Sequence, residues 1–147
     1  MTVTKTYPRA GQMEPGWEEY TETLPANTGD GGMTAGLILC IVTGKAVKAP
    51  IDATGVKPFY GLIENKLDTD NFVRVISYGL FYGYAEGAIA VGSQLTTGTV
   101  TAGHLKIAGA AVFNKIVGDY YGHPAEGSGN SPFTAAANGE IIVVFIR

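Results

Sequence analysis

Residues 58–90 read PFYGLIENKLDTDNFVRVISYGLFYGYAEGAIA, two apolar runs on either side of a short polar turn, the second interrupted by a glycine. From Phe72 to Tyr78 the positions alternate: Val73, Val75 and Ser77 share one face, while Phe72, Arg74, Ile76 and Tyr78 share the other. Successive side chains of a strand point to opposite faces, so a period of two predicts a β-strand. Phe59 to Asn65 predicts the strand before it, and Lys66 to Asn71 the turn between them, because Asp and Asn stabilise tight turns. Gly79 breaks or bulges the ribbon, and Leu80 to Tyr84 continues it. This is an antiparallel β-meander. It sets the expected class as all-β, with a small antiparallel β-barrel or tulip-like body.

Moving outward from the meander, Leu37 to Thr43 is a continuous apolar run too short for a helix, which predicts a strand buried on both faces. Gly44 and Lys45 turn the chain, Ala46 to Ala49 returns as a short strand, and Ile51 to Lys57 reads as a loop. Ala88 to Thr101 is punctuated by glycine and predicts short strands. In Leu105 to Val117 helix and strand compete. Leu105, Ala108, Val112 and Ile116 keep helical spacing, while Gly109 and the β-branched residues favour strand. Asp119 to Asn138 carries enough Gly, Pro and Asn to predict a long loop, and loops of that length are usually functional or lie at interfaces. Gly139 to Arg147 (GEIIVVFIR) is a last strand with no polar face, expected to be central or buried between subunits.

Residues 1–34 have almost no apolar periodicity and read as an extended N-terminal arm preceding a single β-barrel domain over 35–147. The arm nevertheless carries Tyr7, Met13, Trp17, Tyr20 and Leu24 at wide spacing. Side chains of this kind dominate binding energy when they dock on a surface, so they are candidate anchors. Two surfaces are open to them, that of a partner and that of the chain's own barrel.

Composition narrows the function classes. A chain of 147 residues can bury a real core without staples. Its 21 glycines are about twice average usage, which suits a turn-rich β fold. The single cysteine, Cys40, lies in an apolar run and reads as a small buried thiol. A net charge of -3 lacks the basic footprint that phosphate-backbone binding needs, so no nucleic-acid partner is expected. The longest apolar runs, Leu37 to Val42 and Ile141 to Ile146, are far short of the roughly 20 residues of a spanning helix, so no membrane partner is expected. Residues 1–20 hold no apolar core of a secretory signal, which leads us to expect synthesis in a reducing cytoplasm.

Catalytic groups are sparse. His104 follows Gly103 at a turn, and His123 stands beside Pro124 in the long loop, neither in a nucleophile-bearing motif. Asp68, Asp70 and Asn71 superficially resemble a calcium loop, but Phe72 and Val73 occupy positions where a ligand and a glycine would be needed. One cysteine and two distant histidines do not make a zinc site. No catalytic residue, metal site or cofactor is therefore expected.

The run from Ala35 to Gly92 resembles the core of the phage head decoration proteins, the lambda-type capsid cement family. The matching pieces are Leu37 to Val47, Tyr60-Gly61-Leu62-Ile63, Leu67 to Asn71, Phe72 to Ser77 and Gly79-Leu80-Phe81-Tyr82. Ala88 to Ser93, Ile116-Val117-Gly118 and Gly139 to Val144 resemble the parts that follow, and the 119–138 loop is longer than the pattern. The resemblance implies a homotrimer on the outer surface of an icosahedral virion. There it would stabilise the expanded shell by clamping neighbouring copies of the phage major capsid protein, the arm supplying the capsid contacts. A second reading makes the chain a head-fibre or receptor- or glycan-binding β module, with Tyr120, Tyr121 and Phe133 of the long loop as a stacking surface. An enzyme of small β-barrel type has the least support.

Overall fold

A computed structural model describes residues 20–29, 31–51, 57–90, 92–109, 113–122 and 136–147. Among them run nine strands: β1 Tyr20–Pro25, β2 Ile38–Val42, β3 Lys45–Lys48, β4 Tyr60–Leu62, β5 Phe72–Tyr84, β6 Gln94–Thr97, β7 Leu105–Ile107, β8 Gly118–Gly122 and β9 Ile141–Ile146. One short 3-10 turn, Phe113–Lys115, is the only helical element among the described residues. The chain is all-β and barrel-like, as the meander predicts.

The architecture turns on β5, whose 13 residues are long enough to serve two sheets. Its first half pairs with β4, Leu62 opposite Val75, and with β1, Thr21 opposite Ile76 and Pro25 opposite Phe72. Gly79 then takes φ of 124°, a conformation that costs a residue with a Cβ, and from there β5 pairs with β9, Gly79 opposite Ile146 and Tyr84 opposite Ile141. The first sheet runs β3-β2-β4-β5-β1, and a parallel bridge from Ala26 to Ala46 draws its two ends together. The second runs β5-β9-β8-β6-β7, drawn round in the same way by a parallel bridge from Ala85 to Leu105. The molecule is thus two five-stranded rings built on one shared strand.

Each ring has its own filling. Leu39, Ala46, Leu62, Val73 and Val75 are buried in the first, with Leu24, Ile41 and Met33 packed against them. A larger cluster, including Phe81, Ile89, Leu95, Leu105, Ile142, Val144 and Ile146, fills the second and reaches Ile38, Cys40 and Ile76 on the other face of the first sheet. Phe81 packs this cluster against the first sheet, because its ring lies over Gly61: a Cβ there would meet ring carbons at 2.8 Å. On the opposite face of the β5–β9 ribbon, Leu80, Tyr82 and Val143 form a third cluster with Ile141 and Phe145.

Several expectations change on this frame. Part of the segment read as an arm belongs to the sheet: Tyr20–Pro25 is β1, and Ala26 is buried. Residues 1–19 lie outside the described residues. The 119–138 loop starts later than expected, because Gly118–Gly122 pairs with both β6 and β9; apolar burial of Tyr120 overrides the turn-forming glycines on either side. In the contested 105–117 segment, Leu105–Ile107 is strand and no described residue is α-helical. Burial on both faces holds for Ile38 to Cys40 but ends by Val42, which is exposed. The last strand is central within the chain, held between β5 and β8. The 66–71 turn is not wholly solvated either, because Lys66 is buried and bridges Met33.

Candidate functional site

β1 and the two halves of β5 and β9 bring three aromatic rings into line on the outside of the sheet. Tyr20 stands opposite Tyr78 in the β1–β5 register, with ring centroids 5.7 Å apart and planes at 67°. Tyr78 in turn meets the edge of Phe145 on β9, at 5.2 Å and 78°. Edge-to-face packing of this kind is favourable beyond the area it buries, which fixes the rings relative to one another. The Ser77 hydroxyl donates to the Tyr20 carbonyl at 3.2 Å and pins the start of β1. Tyr20 is still 54% exposed and Tyr78 40%. The strip therefore presents aromatic surface on a rigid backing.

Of the five arm anchors expected from sequence, only Tyr20 and Leu24 are described, and the structure separates them. Tyr20 is on this strip. Leu24 packs inward on the first ring's core. Tyr7, Met13 and Trp17 lie outside the described residues, as does Phe133. Tyr120 and Tyr121 are successive residues of β8 at a shift in its register with β9; Tyr120 is buried and Tyr121 45% exposed, so the two do not present one exposed surface. Burial, with the Glu140 charge added to it, pushes the Tyr120 hydroxyl up to about 12. Sequence reasoning missed Tyr78 and Phe145. The alternation from Phe72 to Tyr78 signalled an outward Tyr78, but its neighbours depend on register, which local pattern does not carry.

A second exposed feature is the hairpin tip at 98–101, built around Glu86. Its Oε1 accepts the Thr99 and Val100 N–H groups at 2.7 and 2.9 Å, and its Oε2 accepts the Thr101 N–H at 2.8 Å. Burial alone would raise the pKa of this carboxyl, but these donors and the Thr99 hydroxyl outweigh it and hold the group below its ordinary value. Gly98 is required beneath it, because a Cβ there would occupy the place of the carboxylate. The tip presents Val100, 78% exposed. Nearby, His104 stacks on Tyr84 at 5.1 Å, and burial pushes its imidazole pKa down, partly offset by Glu86.

The other polar groups weighed from sequence have structural employment. Asp68 Oδ1 accepts the Gly31 N–H at 2.7 Å, and Asp70 Oδ2 accepts the Leu67 N–H at 2.9 Å, so both carboxylates tie turns. Cys40 is buried, and that burial raises its thiol pKa, partly offset by the Lys115 charge. Asp119 and Arg147 form a two-bonded ion pair, Nε to Oδ2 at 2.8 Å and Nη2 to Oδ1 at 3.2 Å. His123 lies outside the described residues.

The fold is similar to that of a phage head-fibre base. The solved structure is the N base of the head fibre of bacteriophage phi29, matched with a TM-score of 0.53 over 88% of this chain and 95% of that one, at 16% identity. At that identity the likeness is one of fold. No family model matches the chain, and neither does any curated protein.

Proposed function

We propose that this chain is a structural protein of a bacteriophage virion, a base module seated on the outer surface of the head. The observation that carries the reading is the extent of the fold likeness, which takes in nearly the whole of a head-fibre base and most of this chain. The sequence resemblance to capsid decoration proteins supports the same location from independent features. In this reading the protein is a homotrimer that binds the phage major capsid protein, and it has no catalytic role. A base needs a rigid body, an oligomer contact and anchoring surface, and repeated copies turn modest contacts into firm attachment. The exposed Tyr20–Tyr78–Phe145 strip, together with the 1–19 segment bearing Tyr7, Met13 and Trp17, supplies the candidate anchoring surface.

Gold-labelled antibody against the chain, applied to intact particles of the phage that encodes it, tests the location. Labelling on the head exterior is expected. Particles that carry neither label nor peptides of this chain would overturn the proposal. Solution mass at micromolar protein tests the trimer separately. The decoration reading and the fibre-base reading part on copy number: many copies spread over the shell mark a cement protein that clamps capsid subunits, and a few at discrete positions mark a base.

A further inference from the structure

Lys66 is in an unusual position for a lysine, only 4% exposed and fixed there by its backbone. Its N–H donates to the Met33 carbonyl at 2.8 Å, and its carbonyl accepts the Met33 N–H at 2.9 Å. Gly32 allows this approach, since a Cβ there would sit 2.7 Å from the Lys66 oxygen. Lysines are almost never this buried without a partner for the charge. The ammonium donates one hydrogen bond, to the Leu67 carbonyl at 3.0 Å, and makes no ion pair among the described residues. The nearest carboxylates in sequence are Glu64, Asp68 and Asp70; Glu64 is engaged by Arg74, and Asp68 and Asp70 by the backbone of Gly31 and Leu67. An ammonium has three donors, so two remain without a partner among the described residues.

Beside Lys66 the first ring holds a cavity of about 320 Å³, within the range of small-ligand sites. Met33, Ala46 and Val47 give it an apolar wall, Asn27, Lys48 and Lys66 its polar groups, and among the described residues no acidic one lines it. Two cations, an amide and an apolar wall in one small cavity match a negatively charged head on a short hydrocarbon stem. We infer that this cavity binds a carboxylate carried on a short apolar stem. Lys66 donates the charge-assisted hydrogen bonds, Lys48 adds to the positive field, and the stem lies against Met33, Ala46 and Val47. Such a group comes either as a free small carboxylic acid or as a glutamate side chain of another protein. The inference stands apart from the virion reading and can fail without it.

The test is titration of the isotope-labelled protein with sodium butyrate at constant ionic strength, followed by amide NMR shifts. n-Butanol and butylammonium serve as probes with the same stem and without the negative charge. Saturable shifts confined to the residues around Asn27, Met33, Ala46 to Lys48 and Lys66 are expected with butyrate alone. Binding should weaken at least about tenfold in K66M, the effect of losing one charge-assisted hydrogen bond. N-acetylglutamate N-methylamide separates the sources. Binding comparable to butyrate points to a protein side chain, and exclusion of this bulkier probe while butyrate binds points to a free acid. Absence of saturable shifts with butyrate overturns the inference, as does equal binding of butanol or undiminished binding in K66M. Should K66M not fold, the contrast between butyrate and butanol on the unaltered protein decides the matter.

Discussion

At the start of β5, one face of the sheet is packed and the other is wet, Val73 and Val75 being buried and Phe72 and Arg74 exposed, until Ile76 on that second face is buried by the larger cluster. Around the second half both faces are covered, Phe81 on one side with Ile142 and Val144, Leu80 and Tyr82 on the other with Val143. Gly79 is the hinge between the two regimes, and at Gly79 the strand exchanges β1 and β4 for β9. The difference shows what each ring is suited to. The first is a thin shell around a small core with a cavity beside it. The second is the block that carries the Glu86-locked tip, and its Phe145 meets the first ring's Tyr78 where the aromatic strip crosses from one ring to the other.

Truncating the filling of each ring breaks this comparison most severely. Phe81→Ala removes the ring that packs the larger cluster against Gly61 of the first sheet, and a loss of about 3–5 kcal/mol is expected. Leu62→Ala empties the first ring alone, at about 2–5 kcal/mol. Denaturant unfolding followed by far-UV and near-UV signals checks both. A shared strand demands that each variant lower one common transition. Two separated transitions, with Leu62→Ala shifting only one, would show that the rings fold as independent units.

Gly79 ranks next. With φ of 124° an alanine there is strained, and Gly79→Ala should cost on the order of 1–3 kcal/mol while leaving the cores intact. Unfolding midpoints of the variant and the unaltered protein check this. A neutral Gly79→Ala would mean that β5 changes partners without needing the left-handed residue, and the hinge would lose its role.

How much of this was legible follows the same division. The first half of β5 announced itself by alternation because one of its faces meets water. The second half, and β9, have no polar face, so the sequence there indicates burial but not partners. β1 was hidden for a different reason: YTETLP contributes a single buried-side residue, Leu24, and derives its strand character from pairing with β5. Register likewise accounts for the aromatic strip. Tyr20, Tyr78 and Phe145 are remote in sequence, and no local pattern brings them together. Lys66 read as part of a polar turn because its burial comes from the Met33 bridge, a contact over more than thirty residues.

Acid and base sharpen the contrast at smaller amplitude, acting on the second ring from opposite ends of the scale. Glu86 has a folded pKa below its ordinary value, so its contribution is present above the unfolded pKa and is lost as pH falls through the folded one. Glu86→Gln should flatten the acid limb of the stability curve and speed amide exchange at Thr99 to Thr101. Tyr120 is the reverse case. Its folded pKa is raised to about 12, so its contribution is intact below the unfolded value near 10 and is lost as pH climbs between the two. Tyr120→Phe should remove that alkaline loss and one late step from the phenolate absorbance titration. An unchanged titration would show that Tyr120 ionises with the exposed tyrosines and that β8 opens readily.

The smallest effect belongs to the wet face of the first ring. Arg74 and Glu64 meet at 3.1 Å across the β4–β5 hairpin, with side chains 53% and 60% exposed. Their attraction is screened by water and opposed by the entropy of holding two long side chains, so the coupling should be about 0–1 kcal/mol. A double-mutant cycle of Arg74→Ala and Glu64→Ala measures it, and salt should erase what there is. A coupling well above that range would mean that this face is desolvated in solution. The most direct source of desolvation would be a neighbouring subunit laid over Phe72 and Arg74, so the cycle, run above and below the concentration at which the solution mass changes, reports whether the thin ring is a free surface or an oligomer contact.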